Sequence, residues 1–132
     1  MTGRWDGSFT YPSGLGTTTP FLAEIVETGA CLSGSIVEPD LAYRSGRTME
    51  AVLAGHRIGT SIDFTKTYRG NRFGYENPVD YVGTVSHDGL QIEGLWSLVD
   101  FEGTFEMHRD AAMVAEEEEG VEERLPHPAE LP

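Results

Sequence analysis

The feature that most constrains this chain is an alternation of apolar and polar residues that recurs in segment after segment up to residue 109. Alternation with a period of two places one face of an extended strand against a core and the other face in water. Clusters of Gly, Pro, Asn and Asp between the segments are typical of turns. The pattern predicts strands near residues 3–11, 18–27, 31–38, 49–57, 60–68, 79–86, 90–98 and 101–109.

The apolar faces of these strands need a cover, and helical spacing appears nowhere before residue 110. A sheet with one apolar face and no helices must close on itself or fold into a sandwich. Glycine followed by Ser or Thr and an apolar residue recurs on the apolar face at Gly7, Gly34, Gly83 and Gly103. Because an inward glycine lets a strand coil and leaves room for a neighbouring ring, the repeat favours an all-β, up-and-down antiparallel eight-stranded β-barrel over a sandwich.

The negative charge of the chain is concentrated near its C-terminal end. Of the formal net charge of −13, residues 110–132 carry −7 and residues 1–109 carry −6. We therefore expect a β-barrel domain over 1–109 and an acidic tail over 110–132. Consecutive glutamates and prolines indicate that the tail is disordered, and a frayed helix capped by Asp110 is the alternative. Because phosphates repel such a chain, neither nucleic acid nor an anionic membrane is expected as a partner.

Cysteine and histidine usage bears on the setting of the protein and on metal binding. Cys31 is the single cysteine, so no intrachain disulfide can form, and no apolar stretch follows the first residues. We expect a reducing, cytoplasmic setting, although a mature secreted chain without its signal peptide would look the same. The four histidines show no metal-ligand spacing, so we expect no metal and no cofactor.

A Gly-Arg-Trp run ending at Trp5 and an arginine at the end of the last predicted strand, Arg109, resemble the signature of the calycin superfamily, which contains the lipocalins, the fatty-acid-binding proteins and the avidins. The resemblance implies that the arginine packs over the tryptophan ring and plugs one end of the barrel. The Gly-x-Trp at Trp96 and the short loops are more similar to an avidin than to a lipocalin. An avidin would carry an Asn soon after its first Trp to hold biotin, whereas Asp6 and Gly7 stand here, so biotin binding is not implied.

Loop lengths predict that the two ends of the barrel differ. Alternate loops of an up-and-down barrel share an end, so the tight loops at 28–30, 58–59 and 87–89 lie with Trp5 and Arg109. The long loops at 12–17, 39–48 and 69–78 gather at the other end, with the turn near Asp100, and form the mouth of a cup.

The predicted mouth carries a group of arginines, namely Arg44, Arg47, Arg69 and Arg72. One interpretation is that they recruit an anionic or carboxylate-bearing small ligand. The alternative is that they pair with nearby acidic residues, namely Asp40, Glu50, Glu76 and Asp80.

Lys66 is the unusual residue of the predicted interior, because it shares an apolar face with Phe64 and Tyr68, and a buried ammonium needs a partner. Glu38 lies on an inward face and could meet it across the strands. The pair could form the polar floor of a ligand site or an acid–base set, or it could be a structural ion pair with the lysine reaching outward. The predicted ligand-binding residues are Phe9, Tyr11, Glu38, Phe64, Lys66, Tyr68, Arg69, Arg72, Tyr81, Trp96 and Phe105.

Three functions stay open on the sequence. The first is a barrel that binds an acidic or amphipathic small molecule. The second is a small barrel enzyme that uses Glu38, Lys66 or a tyrosine as acid and base; no catalytic residue is assigned, and binding is favoured over catalysis. The third is an interaction module or homo-oligomer that uses outward apolar residues, namely Leu22, Val26, Val82 and Leu95.

Overall fold

A computed structural model of the chain describes residues 1–12, 18–41, 46–70 and 77–111. Eight strands follow one another in these ranges. They are β1 (Gly3–Thr10), β2 (Thr18–Thr28), β3 (Cys31–Pro39), β4 (Thr48–Ile58), β5 (Ser61–Tyr68), β6 (Val79–Val85), β7 (Gln91–Leu98) and β8 (Phe101–His108). Each bound falls within two residues of the sequence prediction.

The sheet closes on itself, so the predicted up-and-down barrel is confirmed and the sandwich alternative is wrong. Every strand pairs antiparallel with the next one along the chain, and β1 also pairs antiparallel with β8. The closing ladder runs from Asp6 opposite His108 to Thr10 opposite Thr104. Closure gives each strand two hydrogen-bonded neighbours and removes the exposed edges that an open sheet would present.

The apolar faces of all eight strands meet inside the barrel. Buried side chains from every strand form one core cluster, and it includes Trp5, Phe21, Ile36, Leu53, Phe64, Tyr81, Trp96 and Phe105. Alternation along the sequence predicts that Phe101 shares the inward face of Phe105 and Met107, but Phe101 is 51% exposed because it begins β8 directly after a turn at the barrel end. Glu24 on β2 and His56 on β4 both face outward.

Two inward glycines show why this sheet can coil so tightly. A Cβ atom on Gly94 would overlap the carbonyl oxygen of Val82 on β6. A Cβ atom on Gly103 would lie 2.6 Å from the indole nitrogen of Trp96. At both positions a side chain would occupy space already taken by a neighbouring strand or ring.

The connections fall into two sets, one at each end of the barrel. Short turns join β2 to β3 and β4 to β5 at the end that holds Trp5, which we call the plug end; Gly29 and Gly59 adopt a left-handed φ of 61° there. Longer connections lie at the opposite loop end, together with the two-residue turn between β7 and β8. Val99 in that turn has a φ of 51°, an unfavourable conformation for a β-branched residue.

The predicted acidic tail lies almost wholly outside the described residues, which end at 111, so its disorder and its alternative helix stay predictions. No helix in the described part of the chain has the length and hydropathy of a membrane span.

Adding a methyl group at Gly94 tests the close approach of β6 and β7. We expect Gly94→Ala to lower the free energy of unfolding by about 1–3 kcal/mol, because the methyl group meets backbone that cannot yield. Ser97→Ala, at an exposed position on the same strand, should change it by less than about 0.5 kcal/mol. Urea unfolding followed by circular dichroism measures both, and equal stability of the two variants would contradict the close approach.

Candidate functional site

The plug end is sealed by a contact between the first and last strands. Trp5 is fully buried, and the guanidinium carbon of Arg109 lies 4.5 Å from the centre of its ring. Arg109 donates hydrogen bonds from Nε to the Gly89 carbonyl at 2.9 Å and from Nη1 to the Thr2 carbonyl at 3.0 Å. The Trp5 indole donates to the Met1 carbonyl at 2.9 Å. These contacts fix the cation on the ring face and cover the buried ring at this end of the barrel.

A second ion pair supports the plug end from β2 and β4. Arg57 donates from Nη2 to Glu27 Oε1 at 3.2 Å and from Nε to the other oxygen of the same carboxylate. This two-point contact lowers the pKa of Glu27, mainly through the hydrogen bond from Arg57. The Glu27 carboxylate therefore stays charged to a lower pH than an isolated glutamate would.

In the interior, nearer the loop end, β3 and β5 bring together Glu38 and Lys66. Lys66 Nζ donates to Glu38 Oε1 at 3.1 Å, and the two residues are 1% and 4% exposed. The strand between them, β4, separates their backbones, so the lysine reaches across the interior rather than along the sheet. The pair is a buried charge pair, not a lysine that extends to solvent.

Aromatic rings surround the Lys66 ammonium on the sides that the Glu38 carboxylate does not occupy. Nζ lies 4.6 Å from the ring centre of Phe9, 4.7 Å from that of Tyr68 and 5.4 Å from that of Tyr81. Phe9 comes from β1, on the far side of the barrel, so the amine sits near the barrel axis. Ring faces stabilise a cation, but much less than water or a second carboxylate would.

Burial changes the proton equilibria of this cluster. Desolvation lowers the pKa of Lys66, and the charge and hydrogen bond of Glu38 offset part of that effect. Desolvation raises the pKa of Tyr81 well above its ordinary value of 10.0, with further contributions from Glu38 and Tyr11. The site therefore favours a neutral phenol and eases removal of a proton from the lysine.

The remaining aromatic candidates form two groups on either side of Lys66. Tyr11 stands edge-on to Trp96 with ring centres 5.1 Å apart, and Phe9 contacts both rings. Phe64 stacks on Tyr81 at 4.7 Å, and Phe105 meets Tyr81 edge-on at 4.9 Å. Tyr11 and Tyr68 are only half-buried, so their rings are less enclosed than those of Phe9, Trp96 and Tyr81.

The rim arginines are only partly within the described chain. Arg69 is exposed just beyond β5, and its backbone N–H donates to the Glu50 carbonyl at 2.9 Å. Arg47 is also exposed, whereas Arg44 and Arg72 lie outside the described residues. Thus Lys66, Glu38 and the rings come together as one cluster, and Arg69 stands apart from it on the rim.

Nearby acidic residues, proposed as partners of these arginines, have different surroundings. Asp80 accepts a hydrogen bond from the Thr65 hydroxyl at 2.9 Å. Asp40 is 6% exposed, so the loop end contains a buried carboxylate that the sequence pattern gave no reason to place inside.

Two further features were missed by the sequence interpretation. Lys66 is the single lysine of the chain, a fact available from the sequence by counting. A depression of about 560 Å³ lies on the outer surface over β1, β2, β7 and β8, where polar residues such as Ser8, Thr104 and Glu106 line it. Its outer position sets it apart from the interior cluster.

Comparison with known proteins supports the fold but identifies no family for the chain. No protein-family model matches the chain, and no curated protein matches it either. Among solved structures, the chain is similar to a redesigned β-barrel, b11L5F_LGL, with a TM-score of 0.67 and 16% identity over 83% of this chain and 90% of that one. It is also similar to a redesigned β-barrel, mFAP1, bound to DFHBI, with a TM-score of 0.64 and 14% identity over 82% of this chain and 94% of that one. A calycin relationship stays a prediction.

The buried ion pair can be tested by removing one charge and then both. Lys66→Met should lower the free energy of unfolding by about 3–5 kcal/mol, because it leaves the Glu38 carboxylate buried without its partner. The double variant Lys66→Met/Glu38→Leu should recover most of that loss. Urea unfolding measures both, and equal losses in the single and double variants would contradict a coupled pair.

The raised pKa of Tyr81 predicts how stability changes in alkali. The folded protein holds the Tyr81 proton above pH 10.0, where the unfolded chain releases it, so this tyrosine makes stability fall as pH rises beyond that point. Tyr81→Phe should flatten that fall. Because Tyr81 keeps its proton near pH 10 in the folded protein, the folded variant should develop the same tyrosinate absorbance there as the wild type. The chain has five tyrosines, so a loss of about one-fifth of that absorbance would contradict the raised pKa of Tyr81.

Proposed function

We propose that this chain binds a small amphipathic molecule that enters the barrel at the loop end. The observation that carries the proposal is the Lys66–Glu38 pair, held near the barrel axis among aromatic rings. Hydrophobic residues of similar volume in place of a buried ion pair often stabilise a protein, so packing alone is a weak reason for its presence. A polar group that orients a ligand is a stronger one.

Different groups around the pair suit different parts of such a ligand. The faces and edges of Tyr11, Tyr68 and Trp96 offer aromatic surface between the loop end and the pair. Lys66 can donate to an oxygen of the ligand, and exposed Arg69 favours an acidic group at the ligand's outer end. The sealed plug end makes the loop end the entrance.

The structural comparison supports the same function at the level of architecture. mFAP1, a barrel of similar fold, is bound to DFHBI, so an eight-stranded barrel of this size is compatible with a bound ligand. At 14% identity the likeness concerns the fold, and it gives no ligand for this chain.

Native mass spectrometry of the protein as purified, repeated after denaturation, tests whether it retains a molecule from its host. We expect an extra mass that denaturation removes. In parallel, 8-anilinonaphthalene-1-sulfonate, a flat aromatic sulfonate, should bind one per chain to the folded protein. Binding should weaken about tenfold in Arg69→Glu, since this reverses a charge at the entrance, a change of about 1.4 kcal/mol.

The control for the position of the charge is Arg57→Gln, which removes one positive charge from the plug end, whereas Arg69→Glu changes the charge at the loop end by two. It should bind the sulfonate as the wild type does, provided that circular dichroism shows the native fold. A bare mass together with no saturable sulfonate binding would sink the proposal. Binding that Arg57→Gln weakens as much as Arg69→Glu would place the site elsewhere.

A further inference from the structure

The use of lysine in this chain is unusual. Of nine basic side chains other than histidine, eight are arginine, and the single lysine stands at a position that is 1% exposed. Arginine also pairs with carboxylates, and it does so with better geometry, but it does not lose its proton in proteins. Lysine differs because a neutral amine is a nucleophile. The single lysine lies inside the barrel, so the reactivity of its amine, as well as its charge, needs an explanation.

The surroundings of the amine meet the needs of imine chemistry. A carboxylate oxygen 3.1 Å from Nζ can take the ammonium proton and return it later in the reaction. Rings from three strands exclude water, which would hydrolyse an imine. The titratable groups in contact with Lys66 include Glu38 from β3, Tyr68 from β5 and Tyr81 from β6, and burial raises the pKa of the Tyr81 phenol.

We propose that the ligand is an aldehyde or ketone with a flat apolar body, and that Lys66 holds it as a protonated Schiff base beside Glu38. This inference rests on the proposed function and names the chemical class of its ligand. Apolar rings above and around the amine suit a conjugated or aromatic carbonyl compound rather than a sugar. The lowered pKa of Lys66 agrees with this use of the amine.

The reaction balances within the site. Glu38 takes a proton from the Lys66 ammonium, and the nitrogen lone pair attacks the carbonyl carbon. A carbon–nitrogen bond forms, and one amine proton moves to the former carbonyl oxygen, which gives a carbinolamine. Glu38 returns its proton to the hydroxyl group, which leaves as water while the nitrogen lone pair forms the C=N bond. The product is a positively charged imine beside a carboxylate, so the charges of the original pair are restored.

Reductive trapping with trans-cinnamaldehyde and sodium cyanoborohydride tests the inference on the full chain at neutral pH. We expect intact mass spectrometry to show one reduced adduct beyond any at the N-terminal amine, and peptide mapping to place it on Lys66. Because the carboxylate supplies proton transfer, Lys66 should react at least about tenfold faster than free Nα-acetyl-lysine amide under the same conditions. An amine that is merely a buried structural partner should react more slowly than the free one.

Two variants separate the roles of the pair. Lys66→Arg keeps a positive charge and should lose the internal adduct completely. Glu38→Gln keeps the amine and should slow trapping by about a hundredfold. Mapping of the wild type locates the adduct even where a variant fails to fold.

Cinnamyl alcohol, which lacks the carbonyl group, separates failure of this inference from failure of the proposed function. Its binding is measured by quenching of tryptophan fluorescence. If the alcohol binds and Lys66 gives no faster trapping than the free amine, the Schiff base is wrong and the binding function stands. If neither the alcohol nor the aldehyde binds, both are wrong. Fast trapping confined to Lys66 supports both.

Discussion

Closure of the sheet through the ladder between β1 and β8 is the constraint on which the rest of this structure depends. Without it the apolar faces of eight strands would have no cover in the described chain, and two strand edges would be exposed. Closure requires tight coiling, which requires glycines such as Gly94 and Gly103 where strands and rings approach. It also brings Arg109 onto Trp5, so one contact between the chain's first and last strand regions seals an end. The longer connections between strands lie at the opposite end.

The Lys66–Glu38 pair is the costliest feature of the interior in terms of desolvation. Moving two charges out of water takes several kcal/mol for each ion, and attraction between them returns that only with good geometry. Here the geometry is one hydrogen bond and three ring contacts. The barrel therefore holds the pair in place, and the pair contributes little net stability to the barrel.

Alternation and glycine spacing were sufficient to predict the strands, their order and the inward faces, because a period of two has one structural meaning when repeated eight times. The same reasoning placed Lys66 and Glu38 on inward faces, but their separation depends on barrel coiling, which no local pattern encodes. The prediction for Phe101 was wrong because alternation does not show where a strand extends beyond the end of the core. Asp40 was unexpected inside for a related reason: loop residues follow no period. The ligand is beyond the sequence because eight-stranded barrels share an architecture, not a chemistry.

The near-absence of lysine has a consequence for the protein's electrostatics as a whole. Every positive side chain other than Lys66 and the histidines is a guanidinium, which keeps its proton to above about pH 12. Raising the pH therefore does not discharge Arg47 and Arg69 at the loop end, whereas lysines in their place would be mostly neutral by about pH 11. Dissolved salt, by contrast, screens exposed charges over about 10 Å or less at ordinary ionic strengths. The positive charge that the arginines contribute is thus screened by dissolved salt but is not removed by alkali.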